Sequence, residues 1–353
     1  MTHPALYFIQ LKNRYFPIFL LIIALSLFRT LQGYEVLSLS SAIIDNFFFV
    51  SDKQLKMITS QKGGWAPIDD KTLHSILNSH QSSSRMLIGG SGINVVKGLS
   101  HLGVDCGVIG KIGSDDLGFY YQNMLKKLGI SSFLTNGTEP TGQALCFITP
   151  DGQRTFRTYL GASHSLGDLK IDPTLFKGIK LFHIEGFQLI EEEIVLSALE
   201  SAKNANVKIS MDLGNARIVK EHKPFIISIL PKYVDILFCN EEEAQELIGM
   251  NASDACTSLS AFCSIAVVTM GDKGCWAQKG MEKVYTPALS VNAIDTTGAG
   301  DLFASGFIHA YLCGKSLKSC SADGVLVASY VVKVIGTDIS QQNWTEIHGL
   351  LRE

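Results

Sequence analysis

From Tyr34 onward the apolar positions alternate between short continuous runs and longer stretches in which they recur every three or four residues. The short runs at 35–40, 104–109, 180–184, 207–211, 235–238 and 265–269 predict strands. Between them, the spacing of Leu117, Tyr121, Met124, Leu125 and Leu128 predicts a helix over 115–128, and helical segments are expected around 191–205, 218–230 and 241–248. Strands that alternate with helices in this way imply a doubly wound α/β fold, a mostly parallel sheet covered on both faces, with ligands at the carboxyl ends of its strands. Between residues 130 and 162 the texture changes. The segments 144–149 and 155–159 are strand-like and are joined by Pro150-Asp151-Gly152-Gln153, a hairpin signal with no helix between. Together with residues from about 45–50 these predict a small antiparallel sheet serving as a lid.

The first 33 residues do not fit that pattern. Lys12 and Arg14 precede an apolar stretch from Phe16 to Phe28, which looks like a secretory leader but is short for a membrane span and lacks a good cleavage site. Residues 1–33 are therefore expected to be a leader or upstream extension outside the fold, and 34–353 the folded domain. Membrane association is expected only if that leader is real; otherwise the chain is expected in the cytoplasm. With 353 residues and 46% apolar content, one large core with a small appendage can be buried. The 30 basic and 33 acidic residues give a formal charge of −3 without a long basic run, which argues against nucleic acid and for a small-molecule substrate. Eight cysteines lie scattered without zinc-ligand spacing and read as reduced thiols.

The segment with the most chemistry is Asp295-Thr296-Thr297-Gly298-Ala299-Gly300-Asp301. After it, Phe303, Phe307, Ala310 and Tyr311 recur at helical spacing, so the glycines sit at a helix amino end. Such an end presents unpaired N–H groups and a positive potential, and residues with little side chain let a phosphate approach them. Asp301, in the first turn, is expected to stay ionised there and to act as a general base. Two commoner phosphate loops are excluded. Gly314-Lys315-Ser316 has His309 where a Walker loop needs glycine, and Phe303 stands where a dinucleotide fingerprint needs its third glycine.

Four separated motifs agree with one family. The Asp295–Asp301 run resembles the carboxyl-terminal signature of the ribokinase and adenosine kinase family, the PfkB-type carbohydrate kinases, and Gly89-Gly90-Ser91-Gly92-Ile93-Asn94 is similar to its amino-terminal signature. Asn240-Glu241-Glu242-Glu243 resembles the Asn-x-x-Glu motif that organises magnesium; a helix cap with a first-turn carboxylate explains the same residues, and the two roles are compatible. Thr269-Met270-Gly271-Asp272-Lys273-Gly274 is similar to the nucleotide-binding strand and turn, and residues 233–243 look especially like the adenosine kinase branch.

The resemblance implies transfer of the ATP γ-phosphoryl group to a hydroxymethyl of a nucleoside or sugar, adenosine favoured, with a sugar kinase or a non-catalytic sensor as rival readings. It implies catalytic roles for Asp301 and the Gly298, Ala299 and Gly300 amides, and substrate contacts for Asp45, Gly89, Gly90 and Asn94. It further implies ATP contacts for Thr269, Gly271, Gly274 and Thr297, Mg²⁺ held through Asn240 and Glu243, and a monovalent cation such as K⁺ near Asp295. A monomer or homodimer is expected. Ser41, Ser38 and Ser40 stand where relatives often carry asparagine and glycines, which bears on the substrate rather than on the chemistry.

Overall fold

A computed structural model describes residues 34–79, 85–167 and 169–352; the leader region 1–33 lies outside these residues. The strands, in chain order, are β1 (Val36–Leu39), β2 (Ile43–Phe49), β3 (Trp65–Pro67), β4 (Arg85–Gly89), β5 (Cys106–Gly113), β6 (Ser131–Gly137), β7 (Gly142–Ile148), β8 (Arg154–Tyr159), β9 (Leu181–Ile184), β10 (Lys208–Asp212), β11 (Ile236–Asn240), β12 (Ile265–Thr269), β13 (Cys275–Lys279) and β14 (Glu282–Thr286).

Nine of them form one sheet in the order β14-β13-β12-β11-β10-β9-β1-β5-β6. It is parallel from β6 to β12 and closes with two antiparallel strands. Period-two alternation divides each central strand between two cores. Leu37, Leu39, Phe182, Ile184, Ile209 and Met211 face the helices Glu192–Asn204 and Ala216–Tyr233. Val36, Leu181, Ile236, Phe238 and Val267 face the helices Ser91–His101, Asp116–Lys127 and Ala299–Leu312. Both faces are apolar because both are covered, as the continuous apolar runs require.

The second sheet has five strands in the order β3-β8-β7-β2-β4. Phe48, Leu145 and Phe147 pack with Leu55, Leu73 and Ile76 of the helices Asp52–Ile58 and Asp70–Ser79. Its pairing differs from expectation. The sheet is mixed, with β2–β7 and β3–β8 parallel, rather than antiparallel throughout. The hairpin β7–β8 forms as its turn residues predict, but β2 precedes β7 by a long excursion, and a long connection permits parallel pairing. Residues 131–137, within the stretch whose texture suggested the lid, extend the large sheet as β6 beside β5, and β3 and β4, not expected as strands, complete the small sheet. Of the eight free cysteines seven are buried, and Cys313 is exposed. Among the described residues no helix is long and apolar enough to cross a membrane.

Candidate active site

The chain reverses its direction of winding beside β1, which has β5 on one side and β9 on the other. At such a point the loops beyond adjacent strand ends part and leave a crevice. Here the crevice is a cleft of about 550 Å³. It is lined by Ser41 after β1, Glu185 after β9, Asp212 at the end of β10, Asn240 at the end of β11 and Thr269 at the end of β12. The small sheet supplies the opposite wall through Trp65, Arg154 and Phe156.

Asp301 lies in the first turn of the helix Ala299–Leu312 and lines this cleft. Its Oδ1 accepts from Ser91 Oγ at 2.7 Å and its Oδ2 from Asn94 Nδ2 at 2.8 Å. Burial pushes its carboxyl up to about 6, against the pull of these two hydrogen bonds. Desolvation thus outweighs these hydrogen bonds, and the carboxyl ionises only as pH rises through about 6. The Gly298 cap has φ +71° and the helix has no side-chain cap. A Cβ on Gly298 would run into the methyl of Thr337, so glycine is required there both by conformation and by space. The Ala299 N–H turns back to the Thr296 carbonyl at 3.2 Å, whereas no acceptor among the described residues takes the N–H groups of Gly298, Gly300 and Asp301. These three are the open donors of the cradle.

Asp45, on β2, is 8% exposed and lines the same cleft. Burial pushes it up to about 7, opposed by the nearby Lys97. Its carboxylate occupies the space where a Cβ of Gly89 would stand, and Gly90 lies in the lining while Gly89 does not. Asn94 lines the cleft with both ends of its amide engaged, donating to Asp301 and accepting from Thr337.

Asn240 and Glu243 form a reciprocal capping box. Glu243 N–H donates to Asn240 Oδ1 at 2.9 Å, while Asn240 N–H and Nδ2 donate to the two Glu243 oxygens at 2.9 and 2.7 Å. Burial pushes Glu243 up to about 7 and also raises Asp212, on which Glu243 acts as the leading neighbouring charge. Thr269 and Thr297 line the cleft, but Gly271 and Gly274 do not; both belong to the turn from β12 to β13, with φ +58° and +99°.

Glu185 and Arg154 are among the side chains of this site that were not singled out from the sequence. Glu185 accepts from Ser40 Oγ at 2.6 Å and from the backbone N–H groups of Ser41 and Gly92 at 2.8 and 2.6 Å. It ties the turn after β1 to the start of the helix Ser91–His101, and Ser40, standing where relatives have glycine, is one of its donors. Its position just beyond a central parallel strand was the available signal. Arg154 reaches from β8 to Asp295 at 2.6 Å and to Thr297 Oγ1 at 2.8 Å, with a further contact to Thr296 Oγ1. Asp295, 3% exposed, also accepts from the N–H groups of Thr297 and Gly336.

The profile of the pfkB family carbohydrate kinase matches residues 67–344. The chain belongs to this family. It is thus a phosphotransferase acting on sugar or nucleoside hydroxyl groups. This PfkB kinase is similar to an adenosine kinase structure from Sinorhizobium meliloti, at 28% identity and a TM-score of 0.83, covering 90% of this chain and 99% of that one. It is 30% identical over 267 residues to mouse ribokinase, which spans 71% of this chain and 80% of that protein. It is 32% identical over 242 residues to the probable fructokinase-4 of Arabidopsis thaliana, covering 64% of this chain and 72% of the relative.

PfkB kinases use ATP with a divalent metal ion. Asp212 and Glu243 suit a hydrated Mg²⁺, because both are buried carboxylates lining one cleft, each raised by burial, and a cation would offset the charge of Glu243 that further raises Asp212. Glu243 already receives two hydrogen bonds from Asn240, so a contact through metal-bound water fits best. No group of three or more His, Cys, Asp or Glu side chains that could hold a metal ion occurs among the described residues. A monovalent cation beside Asp295 fits less well, since the Arg154 guanidinium already neutralises that carboxylate.

Proposed function

We propose that this PfkB kinase transfers the γ-phosphoryl group of ATP to the hydroxymethyl of a nucleoside, with adenosine the favoured acceptor. One observation carries the chemistry: the Asp301 carboxylate, held by Ser91 and Asn94, shares a helix amino end with the open N–H groups of Gly298, Gly300 and Asp301. Asp301 accepts the hydroxyl proton. The open amides stabilise charge on the transferring group without reorganising. Because the transition state of phosphoryl transfer is loose, Asp301 contributes orientation more than basic strength. Asp212, Asn240 and Glu243 would hold the metal ion, which supplies charge neutralisation of the phosphates when bound. Asp45 accepts from the acceptor's hydroxyls.

The nucleoside reading is supported by the aromatic wall of the cleft. Trp65 and Phe187 lie with ring centroids 5.5 Å apart, and Phe156 lines the same region. Thr158 Oγ1 and Asn215 Nδ2 line the cleft, buried and without a partner among the described residues, and so offer polar contacts to a heterocycle. A sugar is the second reading, favoured by the buried Asp45, which suits any polyol. A phosphosugar is disfavoured, since among the described residues Arg154 is the single cation of the lining and is paired with Asp295. Purified protein assayed with ATP against adenosine, other nucleosides, ribose, fructose and their phosphates decides between them. Turnover of adenosine without turnover of sugars supports the proposal; a preference for a free sugar replaces it.

A further inference from the structure

The helix Ser91–His101 carries a lysine that the reaction as described above does not use. Lys97 lies one helical turn after Asn94 and is 8% exposed. Its ammonium donates to the Ile88 carbonyl at 3.1 Å and to Thr337 Oγ1 at 2.8 Å. The Thr337 hydroxyl donates in turn to Asn94 Oδ1 at 2.9 Å, and Asn94 Nδ2 donates to Asp301 Oδ2 at 2.8 Å. Every member is buried: Asn94 is 4% exposed and Thr337 7%.

The direction of this chain follows from chemistry rather than from atom assignment. An ammonium can only donate, so Thr337 must accept from Lys97 and its one proton is left for Asn94. Asn94 then presents its oxygen to Thr337 and its nitrogen to Asp301. Were Lys97 absent, the Thr337 hydroxyl could rotate away and the Asn94 amide could turn over. Its carbonyl would then face a carboxylate, a repulsive arrangement in a buried site. The same threonine touches the anion cradle through its methyl, which fills the space beside Gly298.

We propose that Lys97 is a positioning residue for Asp301: it fixes the polarity of the Thr337–Asn94 chain so that an amide N–H is always aimed at the carboxylate. The inference rests on Asp301 being the base of the reaction proposed above. Lys97 has an electrostatic role as well. Asp301 feels the carboxylates of Glu185, Asp212, Asp45 and Glu243, and the charge of Lys97 acts against the rise of Asp301 and Asp45. Asp338 and Arg85 also face Lys97, from the loop carrying Thr337 and from β4, and His101 lies near it on its own helix.

The test titrates Asp301 in ligand-free protein labelled with [γ-¹³C]aspartate, its resonance assigned by loss in Asp301→Asn, and measures kcat and KM for ATP in parallel. In Lys97→Met the Asp301 midpoint is expected to rise by about one pH unit, the size expected of a charge acting through a few hydrogen-bonded groups. Thr337→Val keeps both the methyl beside Gly298 and the lysine charge, and cuts only the chain. At pH 8 it is expected to lower kcat about tenfold or more while KM for ATP stays within about threefold. A Lys97→Met midpoint within about 0.2 unit of wild type, or a Thr337→Val kcat within about twofold, overturns the proposal. If Lys97→Met does not fold, the Thr337→Val result decides. Wild-type protein without kinase turnover would remove the nucleoside kinase reading, and the midpoint comparison would then decide the coupling alone.

Discussion

Replacing Asp301 by asparagine separates the two properties that the structure assigns to this carboxylate, chemical use and thermodynamic cost. The replacement amide can accept from Asn94 and donate to Ser91, whose hydroxyl is free to rotate, so the local geometry survives. Burial raises the folded-state carboxyl from 3.8 to about 6. The folded protein thus binds more protons than the unfolded chain between about pH 4 and pH 6, and this group's contribution to stability is lost as pH rises through that window. A shift of roughly two units corresponds to about 3 kcal/mol. Urea denaturation at pH 8 is therefore expected to find Asp301→Asn more stable than wild type by about 2–3 kcal/mol, with the difference disappearing near pH 4. In the same protein kcat is expected to fall by about 10²–10⁴, with nucleoside binding within severalfold. For wild type, kcat/KM is expected to decline as pH falls through about 6, where the base becomes protonated. A variant with near-normal kcat removes Asp301 from the base role. A variant no more stable than wild type at pH 8 refutes the claim that the fold bears a cost to keep a charge there.

Other side chains yield further expectations. Trp65→Ala removes a ring that faces the cleft from the edge of the small sheet, and KM for the nucleoside is expected to rise about tenfold with little change in thermal stability; an unchanged KM dissociates the aromatic wall from base recognition. Arg154→Met leaves Asp295 buried without its cation, and denaturation should show a loss of about 3 kcal/mol with a lower kcat, whereas wild-type stability and turnover would mean that the tie between the small sheet and the anion turn contributes nothing.

The large sheet was legible because its strands are continuous apolar runs separated by helical periodicity, and both signals are local. The pairing of the small sheet was not, since a strand's partner is chosen by tertiary contact: β2 lies beside β7, far along the chain, and β3 beside β8. The segment Ala216–Tyr233, by contrast, breaks at His222, two residues before Pro224, where the local proline rule places a boundary. At the site, Asp301, Asn240 and Glu243 announced themselves because they sit at helix starts with recognisable spacing. Glu185, Arg154, Lys97 and Thr337 gave no such signal. Each acts through a bond to a residue more than a hundred positions away, as Lys97 does to Thr337 and Arg154 to Asp295, and only the fold brings such partners together. The burial that raises the Asp301 carboxyl was not foreseen for a related reason: its helix end can be read from sequence, whereas the depth of its burial cannot.

Phosphoryl transfer as proposed here requires that one hydroxymethyl group meets the Asp301 carboxylate while the γ-phosphate rests on the amides of the same helix end. A crystal structure with adenosine and a non-hydrolysable ATP analogue tests this directly. It is expected to show the acceptor hydroxyl within hydrogen-bonding distance of Asp301 and the terminal phosphate on the N–H groups of Gly298, Gly300 and Asp301. A terminal phosphate bound away from that turn, or an acceptor hydroxyl out of reach of Asp301, would contradict it.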